Sequence, residues 1–167
     1  LEPTNEGYAL AKIAGLKLAK YISNLLLLLT ALLPTLIYFF AIDFLKLGDI
    51  SIDWGSSIAA YLGLFFVGAS YVAIGILSAL LTQRQATAFM MAFLLCFVQF
   101  YLWKAIADLM QNQQLYRFYN ALGIFEHYLN LRQGVITLKD LVYFLVINYI
   151  LLYVSKRLLY KIKNHKA

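Results

Sequence analysis

Residues 57–81 read SIAAYLGLFFVGASYVAIGILSALL, without a single charged residue. This run decides the fold. A helix crosses the hydrocarbon core of a bilayer with about 20 consecutive apolar residues, and Ser57–Leu81 is long enough. Working outward, three more runs qualify: 18–44, 86–107 and 138–154. Strands of a membrane barrel alternate lipid-facing and inward residues, whereas these runs are evenly apolar. In lipid every backbone N–H and C=O must find its partner within the segment, so the spans are helices. The expected architecture is an all-α, polytopic membrane helix bundle with four transmembrane helices.

The composition agrees. Of 167 residues, 63% are hydrophobic and 13% charged, where a soluble domain carries about 25% charged residues. The mean hydropathy is +0.75. Too little charge to coat a soluble globule excludes a cytosolic enzyme, a disordered tail and a nucleic-acid-binding domain. The net charge of +6 does not point to nucleic acid, because the basic residues stand at the ends of apolar runs, where they meet membrane lipid. A single cysteine, Cys96, lies inside an apolar run, which leaves neither a disulfide framework nor a cysteine metal cluster.

Thr82-Gln83-Arg84-Gln85 joins the second and third spans as a tight polar turn, and Lys46–Ser56 joins the first and second. Four spans put both termini and the Arg84 turn on one side. That side holds Lys12, Lys17, Lys20, Arg84, Lys156, Arg157, Lys161, Lys163 and Lys166; the other holds Lys46, Lys104, Arg117, Arg132 and Lys139. Nine against five, of 14 basic residues in all, places both termini in the cytoplasm. The segment 1–17 precedes the first span, and 157–167 forms a basic cytoplasmic tail suited to anionic lipid.

Motifs for chemistry are missing. No GxxxxGK[ST] phosphate loop, HExxH or GxSxG occurs, so the reading is a chain with no catalytic site, no cofactor and no metal of its own. His127 and His165 fall on opposite sides of the bilayer, too far apart to share a metal. Glu126 and His127 are neighbours, about 100° apart on a helix, a poor acid–base pair.

The informative positions inside the spans are small, polar or kinking. Gly68, Ala69, Ala73, Gly75 and Ala79 set small residues on helix faces, through Ala69-xxx-Ala73 and Gly75-xxx-Ala79, for close packing or for a substrate groove. Asn24, Thr30, Gln99 and Asn148 are the polar groups, read either as interhelical hydrogen bonds or as the lining of a pathway. Pro34 removes a backbone donor mid-span and kinks the helix, either as a pathway element or as a tolerated bend. Lys104 and Asp108 are spaced to pair. The outer segment 108–137 carries Leu115, Phe118, Tyr119, Leu122, Phe125, Tyr128 and Leu129 at helical spacing, broken near Gly123. It reads as an amphipathic helix lying at the interface or as a lid resting on the bundle.

Several of these stretches resemble one family. Tyr61–Ile76, continuing through Ser78-Ala79-Leu80-Leu81-Thr82-Gln83-Arg84-Gln85 to Ala88-Phe89, is similar to the glycine-rich span, "S-L-T-x-x-Q" turn and "A-F" opening of type-2 ABC exporter permeases. Phe125-Glu126-His127-Tyr128, Arg132-Gln133-Gly134-Val135-Ile136, Leu138-Lys139-Asp140 and Tyr143-Phe144 look like the "H-F…RGVID-RD-YF" entry to that family's last helix. Leu32-Leu33-Pro34-Thr35-Leu36 looks like its third helix. The nearest member type is the gliding-motility-associated permease subunit, and the resemblance covers about Gly15–Lys161. It implies a permease subunit in the bacterial inner membrane, working with separate ATP-binding subunits and a second permease subunit. The family has six spans and this chain shows four, so the resemblance implies that two helices and most of a cytoplasmic coupling segment lie upstream of Leu1. Glu2, Pro3 and Glu6, with Arg84, are then the expected contacts to the ATP-binding subunit. A competing reading from another class is a small multi-span scaffold or assembly factor without transport. No residue points to a substrate class.

Overall fold

The computed structural model of the chain describes residues 3–45, 53–82 and 84–164. Among these residues there is no strand. The helices are α1 (Pro3–Leu45), α2 (Trp54–Leu81), α3 (Gln85–Phe97), α4 (Trp103–Asp108), α5 (Gln113–Leu122), α6 (Ile124–Arg132) and α7 (Leu138–Asn164), with a π-helical turn, Val98–Leu102, between α3 and α4. The column Gln85–Asp108 is therefore one long rod. Four helices are long and apolar enough to cross a membrane: Leu18–Ile42, Trp54–Leu81, Gln85–Asp108 and Leu138–Ile162. The apolar runs place all four.

The helices run beyond the expected spans. The first candidate span starts at Leu18 as expected, and α1 continues on its N-terminal side to Pro3, 43 residues in all. At 1.5 Å per residue α1 is about 65 Å long, twice the thickness of a bilayer core. Pro34 stands inside α1 without ending it. At the other end α7 runs on past Lys156, Arg157 and Lys161 to Asn164. Lysine and arginine are good helix formers, so leaving an apolar run does not stop a helix.

α2 is the central helix and packs against α1, α3, α6 and α7. Asp53 caps it: the carboxylate accepts from the amides of Gly55 (3.0 Å) and Ser56 (3.3 Å) and from the Ser56 hydroxyl (2.5 Å). Those bonds hold the Asp53 carboxyl below the usual carboxylate range, the Ser56 hydroxyl most of all. The close packing of small residues runs through Ala69 and Ala73, both buried, and Gly68, where an added Cβ would meet Leu28 Cδ2 at 2.6 Å. It stops there. Gly75 has open space where a Cβ would stand, and Ala79 is exposed. The step from Ala73 to Gly75 turns about 200° around the helix, so Gly75 and Ala79 belong to a different face.

The apolar core is shared by three helices. Val67, Ile124, Leu131 and Phe144 are buried together from α2, α6 and α7, with Phe66, Tyr71, Phe100, Tyr128 and Tyr143 against them. Phe66 stacks on Phe144 with ring centres 5.5 Å apart. The outer segment is therefore no lid resting on the bundle. It breaks at Gly123 as its spacing predicts, but α6 packs against both α2 and α7, which also meet each other directly, and its Ile124 and Leu131 are fully buried. Gly63 admits it: a Cβ there would stand 2.9 Å from Leu131 Cβ. Elsewhere the apolar surface faces outward. In the most apolar windows of α1 and α3 no residue is buried, against 33% in α2. Leu26, Ile37 and Phe44 on α1 and Phe89 and Phe93 on α3 are all exposed. An unbroken apolar surface of this kind calls for lipid or partner helices around it.

Candidate functional site

The inserted pair α5/α6 is built by local signals. Asn112 caps α5, its side chain accepting from Gln114 N at 2.9 Å. Gly123 is extended (φ −83°, ψ 144°) and lies so close to α4 that a Cβ would meet Trp103 Cβ at 3.1 Å. Gly134 ends the pair in the left-handed region, φ +81°, where a side chain is disfavoured. Thr137 then starts α7, accepting the Asp140 amide on its hydroxyl at 3.3 Å. Thr137-Leu138-Lys139-Asp140 is a variant of the capping box, with the acidic group three residues after the cap.

That cap delivers Asp140 into the interior. Its carboxyl group, fully buried, meets three side chains. The Thr137 hydroxyl donates to Oδ2 at 2.5 Å. The Asn130 amide reaches both oxygens at 3.3 Å. His127 Nδ1 lies 2.6 Å from Oδ1. The other ring nitrogen of His127, Nε2, lies 3.1 Å from the carbonyl of Ala121 at the end of α5. Tyr143, one turn beyond Asp140, stacks its ring on the imidazole at 3.8 Å and 19°. Its hydroxyl donates to the Leu122 carbonyl at 2.7 Å.

Gln99 joins this cluster from the π-helical turn. Its Nε2 donates to the Leu122 carbonyl (3.2 Å) and to the Tyr143 hydroxyl (3.1 Å), and its Oε1 accepts from Trp103 Nε1 (3.3 Å). A π turn widens the helix and is often found at functional positions. Here one side chain on that turn ties the α3–α4 rod to α5 and α7. Asn148 does the same for the other half of the bundle. Its Nδ2 donates to Ser70 Oγ (3.1 Å) and to the Phe144 carbonyl (2.8 Å), while its Oδ1 accepts from the Tyr21 hydroxyl (3.1 Å). Gln99 and Asn148 thus both serve as interhelical links.

The remaining expected positions are scattered. Thr30 is exposed and bonds the Leu26 carbonyl of its own helix at 2.8 Å. Asn24 is half-buried on α1. Lys104 and Asp108 form the expected ion pair at 3.1 Å. Arg84 is exposed at the turn, its amide on Thr82 Oγ1 at 3.2 Å. Glu2 lies outside the described residues; Pro3 and Glu6 fall in the opening turns of α1. Pairing of His127 with Asp140 is absent from the sequence reading, which weighed His127 against Glu126 and His165. Glu126 instead accepts from Asn120 Nδ2 at 2.7 Å. The signal available was Thr137-x-x-Asp140, since a capping acid placed beside an apolar run is carried inward with it.

Both imidazole nitrogens are hydrogen-bonded within the cluster, Nδ1 to Asp140 and Nε2 to the Ala121 carbonyl. Among the described residues no three His, Cys, Asp or Glu side chains gather to hold a metal. An open groove of about 480 Å³ between α2 and α3 is apolar, lined by Tyr71, Phe89, Phe93, Cys96 and Phe97 among others. No family model, curated protein or solved structure matches the chain.

Proposed function

We propose that the chain is a membrane-spanning permease subunit of an ABC transporter, of the exporter class, driven by separate ATP-binding subunits and associated with gliding motility. One observation carries the reading. The two stretches that resemble the family, 61–85 and 125–144, lie far apart in sequence yet pack on each other as α2 against α6 and α7. Within the second stretch, His127, Asp140, Tyr143 and Phe144 form its buried centre. In this reading the four apolar helices cross the inner membrane with both termini cytoplasmic. The chain contributes no catalytic residue and no cofactor. ATP-binding subunits dock on the cytoplasmic side, at Glu2, Pro3, Glu6 and the Arg84 turn. A second permease subunit meets the outward apolar faces, with lipid around the rest.

Purification of the tagged full-length protein from its native membranes in mild detergent tests this. The expected result is a stoichiometric ATP-binding subunit and vanadate-sensitive ATP hydrolysis in the purified complex. A protein that isolates alone, or with membrane partners that hydrolyse no ATP, overturns the reading in favour of a scaffold or assembly factor.

A further inference from the structure

Side-chain contacts fix the direction in which α5 runs. The Leu122 carbonyl accepts from Gln99, and Tyr119 stacks on Trp103 with ring centres 6.5 Å apart. As the residue number rises along α5 it falls along the α3–α4 rod, so the two are antiparallel and α5 turns back beside the rod. Leu122 is level with Gln99, about 14 Å short of the rod's end at Asp108, at about 1.5 Å per residue. α6 then climbs back along α2. Ile124 shares the buried core with Val67, Leu131 meets Gly63, and an added Cβ at Gly134 would meet Ser56 Cα at 3.0 Å. By that ruler the Gly123 corner lies about 20 Å from the start of α2 at Trp54. Half of a hydrocarbon core is about 15 Å thick. A rod and an α2 that cross a bilayer therefore carry the corner deep into one leaflet.

The backbone at the corner suits that depth. Irregular backbone within a membrane is tolerated where protein satisfies its polar groups. Here the Asn120 carbonyl accepts from the Gly123 amide at 3.3 Å, and the Ala121 carbonyl meets His127 Nε2 at 3.1 Å. The Leu122 carbonyl accepts from the Tyr143 hydroxyl at 2.7 Å and from Gln99 at 3.2 Å. The outward face of α5 suits it as well. Tyr119 and Asn120 turn to the bundle, whereas Leu115, Phe118 and Leu122, spaced along one helix face, are 45%, 61% and 37% exposed. At the same level the rod exposes Tyr101 and Leu102. Arg117 is exposed too, and it has no ion pair or hydrogen bond among the described residues. Side chains tilt toward the N-terminus of their helix, which for α5 is the Asp108 end, so the Arg117 guanidinium is carried outward to the level of lipid phosphates.

We propose that α5 is a phospholipid-binding helix: Leu115, Phe118 and Leu122 lie among the acyl chains of one leaflet, and Arg117 takes a phosphate of that leaflet. A guanidinium matches a phosphate in charge and in hydrogen-bond geometry. α5 then stands along the spans, not in the plane of the interface as an amphipathic helix usually lies. The inference rests on the rod crossing a bilayer and is independent of the transporter reading.

The test is spin-label accessibility in vesicles of phosphatidylethanolamine and phosphatidylglycerol. Gln114→Cys, Arg117→Cys, Phe118→Cys and Leu122→Cys are made singly in a Cys96→Ser background; all four positions are exposed and can carry a label. Oxygen concentrates in hydrocarbon and a nickel chelate stays in water. The ratio of oxygen to nickel collisions should rise several-fold from Gln114→Cys to Leu122→Cys. Lipid phosphorus relaxation should be enhanced more by the label at Arg117→Cys than by that at Leu122→Cys. Phe93→Cys on α3 reports separately whether the rod crosses the bilayer; a water-accessible label there removes the premise and the proposal with it. Nickel access at Leu122→Cys equal to that at Gln114→Cys would return α5 to water. A Phe118→Cys label reached by neither reagent would put a protein partner on the stripe. Either result, or a reversed order of phosphorus relaxation, overturns the proposal.

Discussion

At the scale of single residues, the packing around α2 separates positions that look alike in sequence. Gly63 and Gly75 are both small residues in one apolar run. A Cβ at Gly63 would collide with Leu131 at 2.9 Å, whereas Gly75 has room. Gly63→Leu should therefore destabilise the protein by about 1–3 kcal/mol, the usual penalty of overpacking, and Gly75→Leu should be near neutral. Thermal unfolding of the two variants in detergent checks this, and equal effects would contradict it. Asn148 offers a subtler case. Its bond from Tyr21 crosses from α7 to α1, and interhelical hydrogen bonds in membranes average about 0.6 kcal/mol. A double-mutant cycle of Asn148→Leu with Tyr21→Phe should return a coupling energy of about that size. A coupling of zero would mean that the two side chains do not meet.

At the scale of elements, what was legible was whatever repeats along a helix. Apolar length placed all four long helices, and Gly123 marked the break between α5 and α6. Charge spacing placed the Lys104–Asp108 pair. What could not be read was which face meets which neighbour. The break at Gly123 was legible but the change of register across it was not, so the expected apolar set missed Ile124 and Leu131, which are fully buried. The His127–Asp140 contact joins residues on two helices with a turn between them, and no local period encodes such a meeting. The cap of α2 is, by contrast, wholly local, and it titrates. Asp53 has its carboxyl held low in the folded protein, mainly by the Ser56 hydroxyl. Its contribution is thus present above the ordinary carboxylate range and lost as pH falls through the lowered folded value. Acid unfolding of Asp53→Asn should show a weaker pH dependence than the parent below about pH 4, the ordinary carboxylate value. An identical acid limb in the variant would show that the cap contributes nothing.

At the scale of the whole molecule, one end of the bundle is knotted by polar contacts and the outer faces of α1 and α3 are bare. The basic residues divide nine to five across the expected sides, of 14 in all, and the proposed reading, with both ends inside, rests on that bias. In a Cys96→Ser background, Asn5→Cys and Asn164→Cys should resist an impermeant thiol reagent added to intact cells; labelling of either would reverse the orientation. The central structural claim is that α6 packs into the bundle against both α2 and α7, burying Ile124 and Leu131. Gly63→Cys combined with Leu131→Cys, again in Cys96→Ser, tests it most directly, because a Cβ at Gly63 would stand 2.9 Å from Leu131 Cβ, and a shift of under about 1 Å brings the pair to the Cβ separation of a disulfide. Oxidation in native membranes should cross-link the pair within one chain, seen as a diamide- or copper-dependent mobility shift that reductant reverses, while Gly75→Cys with Leu131→Cys should not cross-link. Absence of the Gly63–Leu131 cross-link, with both thiols shown to be present and reduced, would contradict the insertion and return the outer segment to the surface.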